Sequence, residues 1–374
     1  VACALCLFCW QALTVRHNYG GNWTALFQMG DLTPLPEELK SGAYMWRSHA
    51  GYEGEESRVV AHDPFNRLGW SRYLDDAELR YSSWLMPATA FALAGGDRNR
   101  IDAAYIGAFL LYTAAGIYFL LASFGWQGLS FALLPAVLIA MDRMTVNVSL
   151  MALWAAALAA KQLRWWAAFW LATALAPVAH PQGWLLPAAA FLVWLRLKHW
   201  TGMAAALGCT TPGLAALIFA QQAAGQGRVP VEAFLDWASL AGVGEAAVSV
   251  FERLTQALPA GSPLLAVMSV WDRLTLAVLA ATALWSIWRF RVRAARWESW
   301  ACFLLVVPGA LLDGKNHLAE PFLWLNYASP LLLLHWASTP RSLALIRWAP
   351  LLICGLRVCY QFGYQVLGIL RAIV

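Results

Sequence analysis

Three carboxylates fall within four residues, at Glu53, Glu55 and Glu56, in a polar stretch that also carries Asp31, Asp63, Asp75 and Arg80. Acids this close offer two chemistries. One of them can serve as a general base, taking a proton from a hydroxyl within hydrogen-bond reach. Alternatively, the group can hold a divalent cation, since hard cations take oxygen ligands. Asp31 is a candidate second acid, though a turn role beside Pro34 and Pro36 suits it equally. The plain alternative for Glu53, Glu55 and Glu56 is a solvated acidic loop with no task. Arg80 is the preferred phosphate contact, because a guanidinium matches phosphate geometry. Lys315, Asn316 and His317 form a second polar group that would meet an anionic lipid headgroup or simply make a polar turn. His62-Asp63-Pro64 reads as a helix stop and cap. A divalent cation is the one cofactor these residues suggest.

The rest of the chain says where these residues must sit. Of 374 residues, 60% are hydrophobic and 13% charged, against roughly 25% charged in a soluble domain. The apolar residues come in long runs rather than stripes, as over 101–124. A run of about 20 such residues crosses the hydrocarbon core as a helix, and the runs lack the alternation a membrane barrel needs. Many of the 22 Trp lie at the ends of apolar runs, where indole favours the headgroup zone. The net charge of +5 reflects arginines at helix ends, and no basic patch suggests nucleic acid as a partner. The seven cysteines read as small buried hydrophobes. The expected fold is an all-α integral membrane protein with about eleven transmembrane helices.

Charge orders these helices. Residues 1–15 are expected to be the first crossing and 16–100 a large outer-face loop. A stretch at 84–94 is too short to span the membrane and reads as an interfacial helix. Residues 101–221 form a transmembrane bundle, 222–262 a second outer loop, and 263–374 the C-terminal crossings. This scheme puts Lys161, Arg164, Arg196, Lys198, Arg289, Arg291, Arg293, Arg296 and Arg341 in the cytoplasmic loops, as the positive-inside rule requires. Counting 84–94 as a crossing would move the arginine cluster outside.

Several short motifs resemble the GT-C-type membrane glycosyltransferases. Bacterial members carry a Tyr-Asp-Gly-Gln-Phe-Tyr block in the first loop, followed by Asp-Pro. Here Tyr52-Glu53-Gly54-Glu55-Glu56-Ser57 falls on that block, with Asp63-Pro64 after it. Arg80-Tyr81 before Leu85-Met86-Pro87, Asp142 at an outer helix end, and Ala179-His180-Pro181-Gln182-Gly183 are also similar to the family. The likeness covers roughly the first 200 residues. It implies a polyprenyl-phosphate sugar as donor, sugar transfer at the outer face of a bacterial inner membrane, and Glu53 as the motif acid. By the same likeness, His180 stands where relatives use Arg and would touch the donor phosphate. The motif's Asp and Gln are Glu53 and Glu55 here, a departure that favours a rival reading: a catalytically degenerate structural subunit with membrane-protein partners. A third class, a transporter or lipid flippase, needs ionisable residues inside helices. Asp272-Arg273 comes nearest to that.

Overall fold

The apolar runs fold as helices in the computed structural model, which describes residues 2–225, 263–293, 296–311 and 321–373. Lys315, His317 and nearly all of the expected second outer loop lie outside the described residues. Among the described residues there is no strand, and one isolated bridge joins Gly30 to Trp46.

The helix α1 (Ala2–Asn18) leads into a polar segment with four short helices: α2 (Glu37–Lys40), α3 (Glu53–His62), α4 (Ala77–Ser82) and α5 (Leu85–Leu93). The bundle follows with α6 (Ile101–Phe124), α7 (Pro135–Arg143), α8 (Asn147–Gln162), α9 (Trp166–Ala179), α10 (Leu185–Arg196), α11 (Trp200–Gly208) and α12 (Thr211–Ala224). Beyond residue 262 lie α13 (Pro263–Arg293), α14 (Trp297–Leu311), α15 (Pro321–Ser338), α16 (Ala344–Gln361) and α17 (Gly363–Ile373).

Among the described residues, four helical stretches are long and apolar enough to cross a membrane: Arg98–Leu133, Trp200–Ala224, Leu265–Phe290 and Arg341–Gln361. Two shorter apolar helices, Trp166–Ala179 and Trp297–Val306, accompany them. The stretch at 84–94 contains the nine-residue helix α5 (Leu85–Leu93).

One apolar stretch within the bundle is broken in two. Residues 126–141 look continuous but split at Leu134 into a 3-10 segment, Gly125–Leu133, and the nine-residue α7. Pro135 starts α7, where a missing N–H costs nothing. The 3-10 segment folds back along α6, which Gly128 permits: a Cβ there would lie 2.3 Å from the Leu120 carbonyl carbon. Neither piece alone is long enough to span a bilayer.

At the centre, α8 is buried from Asn147 through Ala160. A helix that is apolar on all sides belongs inside a bundle, and its alanines let α6 and α9 approach closely. Near the end of the chain, Arg357 in α16 is 2% exposed and its Nε lies 2.6 Å from Asp272 Oδ1 in α13. The pair answers the cost of intramembrane charge and leaves Asp272 engaged rather than facing an open path. Arg357→Ala should therefore lower stability by about 1–3 kcal/mol, below the value for a fully buried pair because the Asp272 side chain is 28% exposed. Denaturant unfolding in detergent measures this. Replacing both partners with apolar residues should recover most of the loss.

Candidate functional site

The acids at 53, 55 and 56 do not form a solvated loop. They occupy the first turn of α3, where the helix dipole favours negative charge. On a helix, residues three apart share a face, so Glu53 and Glu56 look one way and Glu55 another.

The Glu53 and Glu56 face meets Arg80 of α4. Arg80 Nη2 lies 2.5 Å from Glu56 Oε2, Nη1 lies 3.9 Å from Glu53 Oε1, and Nε lies 3.3 Å from Asp75 Oδ1. Arg80 is thus engaged with three carboxylates, and Asp75, not expected as a site residue, completes the group. Glu55 turns away and accepts the Gly30 N–H at 2.6 Å, tying α3 to the preceding loop. Asp31 is exposed and accepts the His49 N–H at 3.2 Å, a bond across the loop and not within a local turn. The described residues contain no group of three or more His, Cys, Asp or Glu arranged to hold a metal.

A second cation stands nearby. The Arg143 guanidinium lies 4.2 Å from the centre of the Tyr52 ring and 3.7 Å, at Nε, from Asp142 Oδ2. The start of α3 reaches the end of α7 at Gly54, where a Cβ would come within 2.0 Å of the Arg143 carbonyl oxygen. Only glycine allows this approach, and it brings Glu53 into the field of Arg143.

Burial sets the protonation of the cluster. It raises the Glu53 carboxyl above its ordinary value, with Arg80 opposing. Burial likewise lifts Glu55 to about 7 and Glu56 to about 9. Burial alone would raise Asp75 too, but the hydrogen bond with Glu56 and the Arg80 charge outweigh it and hold Asp75 down to about 2. The two carboxyls are thus shifted in opposite directions, Glu56 upward by burial and Asp75 downward by its partners, with Arg80 against both. An acid whose folded value is raised binds more protons folded than unfolded between the two values, so stability falls as pH rises through that window. Thermal unfolding in detergent should show stability declining from about pH 4.5 to about 9, and Glu56→Gln should flatten that decline.

A third face of α3 anchors it. Arg58 makes a bidentate pair with Asp102 in the first turn of α6, Nε to Oδ1 at 2.7 Å and Nη2 to Oδ2 at 2.8 Å. His62, one turn on, meets the same carboxylate at 3.0 Å. Arg58 also donates to the Leu39 carbonyl at 3.0 Å. Asp63 then ends α3 as its sequence suggests, its carboxylate accepting the N–H groups of Arg67 at 2.7 Å and Leu68 at 2.9 Å. The segment is tied to α12 as well, through Gln221 to Glu78 at 3.3 Å and Asn66 to the Ala223 carbonyl at 3.0 Å. The acidic cluster thus sits where α6 begins and α12 ends.

His180 is buried at the end of α9, its Nδ1 accepting the Gln182 N–H at 3.2 Å, its ring 5.6 Å from that of Tyr327 in α15. The described contacts bring Glu53, Glu56 and Arg80 together and place His180 against α15. Lys315 and His317 lie outside the described residues. The residues that sequence reasoning missed are Arg58, Asp75, Asp102 and Arg143. The four-residue spacing of Arg58 and His62 was the available signal, once 53–62 is taken as helix.

No known protein family, curated protein or solved structure matches this chain.

Proposed function

We propose that this chain is a membrane glycosyltransferase of GT-C-like architecture, with about eleven crossings, acting in a bacterial inner membrane. It moves a sugar from a polyprenyl-phosphate donor at the face where residues 16–100 lie. The observation that carries this reading is the proton-holding group of Glu53, Glu56 and Asp75 around Arg80, set at the Ile101 end of a membrane-length helix. There a lipid-borne donor and a water-borne acceptor can meet. Glu53 is the base: its carboxylate takes the proton of an acceptor hydroxyl, the oxygen bonds to the anomeric carbon, and the polyprenyl phosphate leaves with the electron pair. Arg143, beside Tyr52, supplies positive charge on the same side as Glu53.

A specific observation favours a second reading. Arg80 is already surrounded by carboxylates, so it has little capacity left for a donor phosphate, and a degenerate structural subunit would have a self-satisfied cluster of this kind. Incubating the purified chain in nanodiscs with a labelled polyprenyl-phosphate sugar and a panel of hydroxyl acceptors separates the two. Turnover supports the transferase. Absence of turnover, with a membrane protein co-purifying in fixed ratio, supports the subunit.

A further inference from the structure

At the opposite end of α6 from the acidic cluster, the structure holds a cavity of about 530 Å³, within the roughly 300–1,000 Å³ range of small-ligand sites. Phe124, the last residue of α6, lines it, along with Lys161, Arg289, Arg296, Arg341 and Arg347. Glu298 is the one carboxylate in the lining among the described residues. These cations come from segments far apart in the chain, so the fold and not a local charge run assembles them.

Basic residues at helix C-termini need no ligand, because they answer the dipole of the last turn. That explanation covers part of the cavity. Lys161, in the last turn of α8, is paired with both Glu298 oxygens at 3.2 Å. Arg289, near the end of α13, donates to the hydroxyls of Ser338 at 3.3 Å and Thr339 at 3.5 Å.

It does not cover the other three. Arg296 immediately precedes α14, Arg341 precedes α16, and Arg347 stands in the first turns of α16. These are the positive ends of helices, where anions are favoured and cations are not. Arg347 is 2% exposed, its guanidinium 4.4 Å from the centre of the Trp336 ring, and its Nε has no hydrogen-bond partner. No carboxylate among the described residues pairs with it. A buried guanidinium with an unsatisfied donor is costly unless something supplies the missing charge and acceptor.

We propose that this cavity binds a phosphate anion, presented by an anionic phospholipid headgroup or by a free phosphate compound. Both offer the same chemistry: acceptor oxygens on a negative centre, which arginine and a helix N-terminus bind well. Basic pockets between membrane helices take lipid headgroups by these forces. The site is separate from the acidic cluster and does not depend on the transferase reading.

The test uses the full chain in a neutral detergent, with thermal unfolding followed during titration. Three probes are added separately: short-chain phosphatidylglycerol, phosphatidylcholine of the same chain length, and inorganic phosphate. Phosphatidylglycerol should raise the midpoint saturably, phosphatidylcholine should not, and Arg347→Gln should weaken the apparent affinity about 10–100-fold, the worth of a charge-assisted hydrogen bond. Stabilisation by inorganic phosphate alone would keep the anion site and assign it to a free ligand. Should Arg347→Gln fail to fold, Arg341→Gln at the exposed rim serves instead, with a smaller loss in the same direction. The proposal is overturned if neither anion stabilises more than phosphatidylcholine, or if the shift survives unchanged in the variants.

Discussion

Glu53→Gln should reduce sugar transfer by about 10²–10⁴-fold, the usual contribution of a positioned general base, with the fold intact. The substitution keeps the shape and removes the ionisable oxygen. It should not unfold α3, because Arg80 retains Glu56 at 2.5 Å and Asp75 at 3.3 Å, while the Glu53 contact is the longest of the three at 3.9 Å. Burial already disfavours the charged form of Glu53, so a neutral isostere relieves a cost. The pH profile adds a second signature. A base works only when ionised, and Glu53 is raised above the ordinary carboxylate range, so turnover should climb with pH to a midpoint above 4.5. Initial rates from a polyprenyl-phosphate donor, at matched folded amounts of both proteins, supply the comparison. Equal turnover in both would remove Glu53 from the mechanism.

Asp102→Ala should lower stability by about 1–3 kcal/mol, below the range for a fully buried ion pair because the Asp102 side chain is 27% exposed. One carboxylate serves both Arg58 and His62, at 2.7 to 3.0 Å. Its loss would leave the Arg58 guanidinium, on a residue only 5% exposed, with neutral acceptors alone. The break falls at the joint between α3 and α6, so it should loosen the acidic cluster as well. Denaturant unfolding, alongside proteolysis of the segment before residue 101, would show both effects. Asp102→Glu should restore part of the stability, because it keeps the charge with altered geometry. Wild-type stability in Asp102→Ala would mean that α3 is held by its apolar contacts instead.

The all-helical class was legible from composition and run length, and four helices among the described residues are long and apolar enough to cross a membrane. Element boundaries were less so. Residues 126–141 are mostly apolar, and hydropathy carries no record of the turn at Leu134, which only Pro135 marks. At the site, the acids at 53, 55 and 56 were visible, but their division of labour was not. That division comes from the 100° step of a helix whose start, at Tyr52, has no side-chain cap to announce it. Asp75 and Asp102 stand 19 and 44 residues from the groups they meet, Glu56 and Arg58. Pairings at such separations are set by packing, which sequence spacing does not encode. Arg80 shows the opposite limit: its chemistry suited a phosphate, yet the fold surrounds it with acids.

Burial and the partners around Arg80 should leave Glu56 protonated at neutral pH, with Asp75 ionised beside it. Infrared difference spectroscopy of carboxyl groups, on the full chain in nanodiscs across a pH series, tests it most directly. At pH 7 a protonated-carboxyl band should be present that Glu56→Gln removes, and in the wild-type protein that band should fade as pH passes about 9. A spectrum at pH 7 in which Glu56→Gln removes no protonated-carboxyl band would contradict it.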